Sequence, residues 1–187
     1  SQWSMGSATR THILPNGNYL SFGMAQASNL AMGYFRLLEL EPNGRLVQAR
    51  TLPDSSLSIF SPIYEVMDNG DVIVLHSIFN ESQVSCYDSA FNRKWQWRDP
   101  VHGFRQTALA PTQNGGIMVS GRYQIGTTNR YRGRLTKLDS TGVVVFDSIY
   151  NADTLSLFYG EIFALPGNNT GFIVADFQRT FVADSDS

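Results

Sequence analysis

The apolar residues of this chain occur in short bursts separated by turn residues. Within 104–150 the bursts read "FRQTALA", "GGIMVSG", "RGRLTKL" and "VVVFDSI". β-Branched and aromatic side chains favour strands, and the Gly, Asn, Asp and Pro residues between the bursts favour turns. No stretch has a convincing helical period. The stretch "LSIFSPIYEVM" is interrupted by Pro62 and fits a strand better than a helix. The pattern predicts an all-β protein built from short strands.

One phrase, a turn followed by an apolar strand, occurs three times: "LPNGNYLSFG", "MDNGDVIVLH" and "PTQNGGIMVSG". The turn glycines, Gly17, Gly70 and Gly115, are 53 and 45 residues apart, and "LPGNNTGFIVADF" is a degraded fourth copy. A second turn glycine follows the first by 27 residues in two copies, at Gly44 and Gly142. In the middle copy Asn92 takes the place of that glycine. The chain therefore contains an internal repeat.

Four antiparallel strands repeating about every 45–55 residues indicate blades of a β-propeller, with each Asn-Gly turn joining the first two strands. The copies cover about residues 7–51, 58–97, 104–150 and 155–183 of a single domain. About three and a half blades are fewer than a closed propeller needs, so the chain is predicted to be part of a larger propeller. Two alternatives are an N-terminal strand that completes the last blade and an open array covered by a partner.

The turn, the apolar strand and the following "L-x-K-L-D-S-x-G" phrase resemble repeats of large bacterial surface proteins that use the type IX secretion system. The match is best at Gly115–Gly121 and Leu135–Phe146, and weaker at Leu37–Leu46. The resemblance implies an exported protein, extracellular or on the cell surface. It also implies a binding or unknown role, with secretion-machinery or outer-membrane components as further candidate partners.

The blade architecture separates two faces. The face with the short turns, named here the turn face, is regular, while the opposite loop face carries segments of different lengths. Because function generally sits on variable loops held by a rigid scaffold, a partner is expected on the loop face. The candidate ligand-binding residues are His76, Phe79, His102, Arg105, Arg122, Tyr123, Arg130 and Arg132. Aromatic residues with arginine suit a protein or carbohydrate partner.

Alternation in "NRYRGRL" predicts that Arg130, Arg132 and Arg134 share one side of a strand. With Arg122 they would form a basic stripe that suits a carboxylate, sulfate or phosphate. The alternative is a charged strand edge that prevents aggregation.

Composition excludes several classes of function. The 187 residues carry a formal net charge of -2, with 42% hydrophobic and 16% charged residues. Nucleic-acid binding would need a broader basic surface. No apolar run approaches the length of a membrane span, so direct membrane insertion is not expected. No signal peptide is visible, so export would require its prior removal. The single Cys86 is expected to be a small buried core residue rather than a catalytic thiol.

No local motif predicts catalysis, a metal or a cofactor. His76 and His102 lack metal-ligand spacing, "EVMDNGDV" lacks the calcium-loop rhythm, and neither GxSxG nor a P-loop is present. The leading hypothesis is a non-enzymatic surface module that binds a protein or glycan through its loop face. One alternative is a glycosidase-like propeller hydrolase whose carboxylates meet near the axis. A structural spacer or secretion cargo is the other.

Overall fold

A computed structural model of the chain describes residues 3–5, 11–27, 33–52, 63–78, 81–99, 104–112, 114–124, 131–150, 156–164 and 172–179. Fifteen strands account for most of these residues. None of the described segments forms a helix with the length and apolarity that a membrane crossing requires. The chain divides into two compact units, residues 1–100 and 101–187.

The first unit contains two antiparallel sheets. The first sheet consists of β1 (Trp3–Met5), β2 (Thr11–Ile13), β3 (Tyr19–Ala27), β4 (Gly33–Leu40) and β5 (Leu46–Thr51). The second has β6 (Ile63–Val66), β7 (Val72–Ile78), β8 (Glu81–Tyr87) and β9 (Arg93–Arg98). Strands that follow one another in sequence are neighbours in each sheet, apart from the arrangement at β1.

The second unit repeats this meander. Its four-stranded sheet runs β10 (Phe104–Pro111), β11 (Ile117–Gln124), β12 (Tyr131–Leu138) and β13 (Val144–Tyr150) in consecutive order. A further hairpin pairs β14 (Ser156–Ala164) with β15 (Phe172–Arg179). Strand β14 lies against β10, β11 and β12.

The N-terminal strand belongs to the first sheet. Strand β1 pairs with the far end of β3, Trp3 opposite Ala27, while β2 pairs with its near end, Ile13 opposite Tyr19. The two short strands thus act as two halves of one edge strand, and three sheets share the four-stranded plan. Because Trp3–Met5 pairs with β3, the described part of the N-terminus completes the first sheet, not the last blade as one alternative expected.

Six hairpin turns among the described residues have the same geometry. In the first, the Gly17 amide donates to the Leu14 carbonyl at 2.9 Å, and the Leu14 amide donates to the Asn18 carbonyl at 2.8 Å. Such a three-residue loop ends in a left-handed residue. Gly17 has φ 82°, and Gly44, Gly70, Gly115 and Gly142 are equivalent to it. The three predicted Asn-Gly hairpin turns are confirmed, with the left-handed conformation on glycine alone.

The sixth turn, at 88–92, has no glycine. The Phe91 amide donates to the Asp88 carbonyl at 2.8 Å, and the Asp88 amide donates to the Asn92 carbonyl at 2.9 Å. Phe91 therefore occupies the glycine position, with φ 60°, and Asn92 follows it. The expectation that Asn92 replaces the glycine was one residue out of register.

The outer hairpins also share a β-bulge. Glu39 pairs with Gln48 and Leu40 with Leu46, which leaves Val47 as the extra residue. Lys94 and Val145 hold the same place in the second and third four-stranded sheets. A bulge repeated at one position supports the repeat independently of the turn motif.

The core of the first unit lies between its two sheets. Strand β7 has buried side chains on both faces, Val72, Ile73, Val74 and Leu75, which explains its continuous apolar run. The core cluster joins both sheets and contains Leu20, Phe22, Leu37, Leu52, Tyr64, Val72, Val74, Tyr87 and Phe91. The Tyr64 ring stacks on Phe22 with centroids 5.0 Å apart. Cys86 is buried as expected, 3% exposed.

The prediction of an all-β protein is confirmed: the described residues form three four-stranded antiparallel sheets.

Gly116 provides a test of how tightly the turns pack. A Cβ atom added there would lie 2.3 Å from the Leu138 carbonyl oxygen, whereas one added at Gly44 would meet nothing within 4 Å. We expect Gly116→Ala to lower the free energy of unfolding by about 2 kcal/mol or more, because backbone must move. Gly44→Ala, which suffers only the left-handed conformation, should cost about 1 kcal/mol. Urea unfolding checks both, and equal costs would contradict the close approach.

Candidate functional site

A cavity of about 250 Å³ opens on the turn face of the first unit, between its two sheets. The inner turn of the first sheet and both turns of the second contribute to it. Its lining residues are Leu14, Pro15, Asn16, Glu39, Asn69, Gly70, Val72, Ser89 and Phe91. Most of the wall is apolar, and Glu39 supplies its one carboxylate.

Glu39 is held by three amide groups. Its Oε1 atom accepts hydrogen bonds from Asn18 Nδ2 at 2.6 Å and Asn16 Nδ2 at 3.1 Å, and Oε2 accepts one from Gln48 Nε2 at 2.6 Å. The residue is only 7% exposed. Hydrogen bonds to a charged group contribute about 1.5–3 kcal/mol each, so these amides stabilise a buried carboxylate.

The same contacts fix the protonation state of Glu39. The Asn18 hydrogen bond lowers the pKa of the Glu39 carboxyl most; burial raises it, and the bonds from Gln48 and Asn16 lower it further. The net pKa lies below the usual value, so Glu39 is an anion at neutral pH. General acid catalysis requires a raised pKa, so this carboxylate is suited to binding rather than to proton donation.

Local sequence explains how the amides are positioned. In "NGN", Asn16 Oδ1 accepts the Asn18 backbone N–H at 3.0 Å, which orients the Asn16 side chain. The tight turn then places both asparagine side chains over β4, where Glu39 lies next to the bulge. Gln48 is the direct cross-strand partner of Glu39 on β5.

The second sheet uses the equivalent positions differently. Asp71 stands in the place of Asn18, and Cys86 in that of Glu39. Asp71 accepts hydrogen bonds from Asn69 Nδ2 at 2.9 Å and Lys94 Nζ at 2.6 Å. Burial, and secondarily the charge of Asp71, raises the pKa of the Cys86 thiol to about 12, so it is not a nucleophile.

Phe91 forms part of the cavity wall in a strained conformation. A bulky residue in the left-handed region costs about 1–2 kcal/mol relative to its ordinary backbone. Its side chain is 7% exposed and belongs to the core cluster. Strain that persists because surrounding packing holds it is found preferentially at functional sites.

The predicted loop-face residues have varied positions. Phe79, His102 and Arg130 lie outside the described residues, as do the loops at 28–32 and 125–130. His76 is buried in β7, 3% exposed. Arg105 and Tyr123 lie in β10 and β11, and Arg122 and Arg132 are half-buried in β11 and β12. Their role in binding a ligand remains a prediction.

The register divides the predicted basic stripe. Tyr123 pairs with Arg132, so Arg132 and Arg134 share one face of the sheet while Arg122 faces the other. Arg134 is 3% exposed and binds Asp147 through two hydrogen bonds of 2.8 Å, Nε to Oδ1 and Nη2 to Oδ2. A stripe of all four arginines therefore does not form. Arg132 and Arg134 do not lie on a charged sheet edge either, since β12 lies between β11 and β13.

Sequence reasoning missed Glu39. The phrase "LLELEPNG" has a carboxylate where the third copy has Lys137, and a break in the repeat was the available signal. Its three amide partners are 21, 23 and 9 residues away in sequence. Only the sheet register shows that they converge.

No metal centre is visible in the described ranges. Their His, Cys, Asp and Glu residues form no group of three that could hold a metal ion. His12 packs against the Tyr64 ring with centroids 5.0 Å apart, and His76 lies in the other sheet of the unit.

No protein-family model and no curated protein matches the chain. Among solved structures, the fold is similar to a chimera of apocarotenoid oxygenase (ACO) and RPE65, with a TM-score of 0.50 and 12% identity over 96% of this chain and 50% of that one. It is also similar to cobalt-substituted ACO from Synechocystis, with a TM-score of 0.51 and 12% identity over 86% and 41% of the two chains. A Bacteroides caccae protein of unknown function has a TM-score of 0.42 and 18% identity over 79% and 67%.

The similarity to ACO and its chimera, which are seven-bladed propellers, supports the predicted β-propeller fold. This chain spans half or less of their length.

These comparisons correct the hypothesis of a non-enzymatic binding module, because the propellers that share the fold are an oxygenase and its chimera. The hypothesis gave weight to the lack of local catalytic motifs. Catalytic side chains can converge from different blades without forming any local motif. The absence of such motifs from a propeller sequence therefore says little about whether the protein is an enzyme.

Removal of Asp147 tests its ion pair with the buried Arg134. Burial raises the pKa of Asp147, but hydrogen bonds from Arg134 and Thr136 and the charge of Arg134 lower it below its usual value overall. We expect Asp147→Asn to lower the free energy of unfolding by about 2 kcal/mol at pH 7, because the buried guanidinium loses this carboxylate. The cost is no larger because Asp147 itself is partly exposed.

Because the folded pKa is depressed, the contribution of Asp147 is complete above the unfolded pKa and is lost as the pH falls through the folded one. Urea unfolding at pH 7 and near pH 3 should therefore show a smaller difference between wild type and variant in acid. A difference independent of pH would contradict the ion pair.

Proposed function

We propose that this chain is part of an enzymatic β-propeller with more blades than the described sheets provide. The observation that supports the proposal is the likeness of its fold, over 86–96% of the chain, to ACO and its chimera. Three four-stranded sheets and one hairpin correspond to about half of a seven-bladed propeller. This agrees with the 41–50% of those chains that the similarity covers.

The name of the Synechocystis enzyme suggests the class of reaction, an oxygenation of a small apolar organic substrate. That enzyme was crystallised with cobalt, which indicates that it binds a metal. The described residues of this chain do not fit such a centre, because no three potential ligands converge. We therefore assign no metal to the described residues and no step to a metal. What these residues supply is a rigid scaffold with a preorganised carboxylate at a cavity.

Oxygen uptake tests the proposal. The full-length protein, purified with the metal it acquires on expression, should consume O₂ in the presence of an apocarotenoid, with matching loss of the substrate's visible absorbance. The heat-unfolded protein serves as the control for uncatalysed oxidation. No consumption above that control by folded protein, with and without added Fe²⁺, would contradict an oxygenase.

We also propose that the protein is exported to the cell surface, on the strength of the repeat resemblance. Cell fractionation with an antibody against the full-length protein should find it outside the cytoplasm. A wholly cytoplasmic protein would contradict the proposal. Contacts with a protein, a glycan or the secretion machinery stay predictions.

A further inference from the structure

The cavity on the turn face lies away from the loops in which a site was expected. All of its lining residues belong to the first unit, and three turns from the two sheets of that unit contribute to it. The two sheets share an equivalent asparagine in the lining, Asn16 and Asn69, but otherwise contribute different parts of the wall. Glu39 comes from the third strand of the first copy, and Ser89 and Phe91 come from the outer turn of the second. The cavity is therefore built by two non-identical copies of the repeat.

The charge of Glu39 decides what the cavity attracts. Its described hydrogen-bond partners, Asn16, Asn18 and Gln48, are all neutral amides. They stabilise the carboxylate without neutralising it. Asp71 of the second sheet contrasts with this, because Lys94 pairs with it directly. An anion enclosed by a largely apolar wall attracts a cation more strongly than the same anion in water.

The apolar part of the cavity sets the size of the ligand. Leu14, Val72 and Phe91 provide its hydrophobic surface. An apolar cavity of about 150 Å³ can hold a benzene ring. The volume of about 250 Å³ here is enough for one ring and a short charged arm.

Phe91 is a second, independent indication. Five equivalent turns have glycine at this position, and this turn alone among those described keeps a strained aromatic residue. The conformation directs the ring into the core cluster and the wall of the cavity. An aromatic face beside an anionic group is a common setting for organic ammonium ions.

We propose that this cavity binds a small organic monocation, with a primary ammonium group on the Glu39 carboxylate and a ring-sized apolar body against Leu14, Val72 and Phe91. The ammonium donates a charge-assisted hydrogen bond to the carboxylate, which has acceptor capacity beyond its three amide contacts. A metal ion is a poorer occupant, since the described residues bring one carboxylate and no further acidic or imidazole ligand to the cavity. This site is independent of the reaction proposed for the whole propeller.

Three probes of similar size, each a phenyl ring on a two-carbon arm, test the charge requirement: phenethylammonium, 2-phenylethanol and phenylacetate. Titration of the full-length protein, followed by calorimetry and by the amide resonances of Gly70 and Ser89, should show the ammonium binding at least about tenfold more tightly than the alcohol. The carboxylate should not bind. Equal affinities for the three probes would overturn the proposal.

Variants locate the site. Glu39→Gln removes the charge and should abolish the preference for the ammonium. Glu41→Gln is the matched control, because Glu41 lies on the same turn face, pairs with Arg45 and does not line the cavity. Ser89→Trp keeps Glu39 and fills the mouth from an exposed position, so it should abolish binding even if Glu39→Gln fails to fold. Ammonium binding that survives Ser89→Trp or folded Glu39→Gln, or that disappears in Glu41→Gln, would overturn the assignment.

Discussion

The left-handed residue at the end of each hairpin turn is the constraint on which the sheets depend. Five described turns use glycine there and one uses Phe91. The two backbone hydrogen bonds of each turn fix which residues face each other in the strands beyond. Because side chains alternate between faces, a slip of one residue would expose the apolar set of a whole strand. The turns therefore determine which side chains enter the core and which line the cavity.

On this regular scaffold, one position shows how the copies diverge. The residue before the bulge in the third strand of each copy is Glu39, Cys86 or Lys137. The first is a buried anion held by amides, the second a buried thiol with a raised pKa, and the third a half-buried lysine. Because backbone hydrogen bonds hold each sheet together, this position is free to vary in chemistry without loss of the fold.

Much of the fold could be predicted from sequence, because turn chemistry acts locally. Asn-Gly followed by an apolar run was sufficient to place the inner hairpins, and the 27-residue spacing placed the outer ones of the first and third copies. Phe91 was missed because a left-handed phenylalanine has no local signal. Glu39 was missed because its partners converge only after the strands pair. The register likewise separated Arg122 from Arg132, which a single-strand alternation argument could not show.

An anionic cavity lies between the two sheets of the first unit. Three amides hold Glu39 there as an anion beside a largely apolar wall. Carboxyl ¹³C NMR of Glu39 during a pH titration tests this most directly. The midpoint should lie below the ordinary value of 4.5. A midpoint at or above that value would show that burial outweighs the amide contacts, and would contradict the claim.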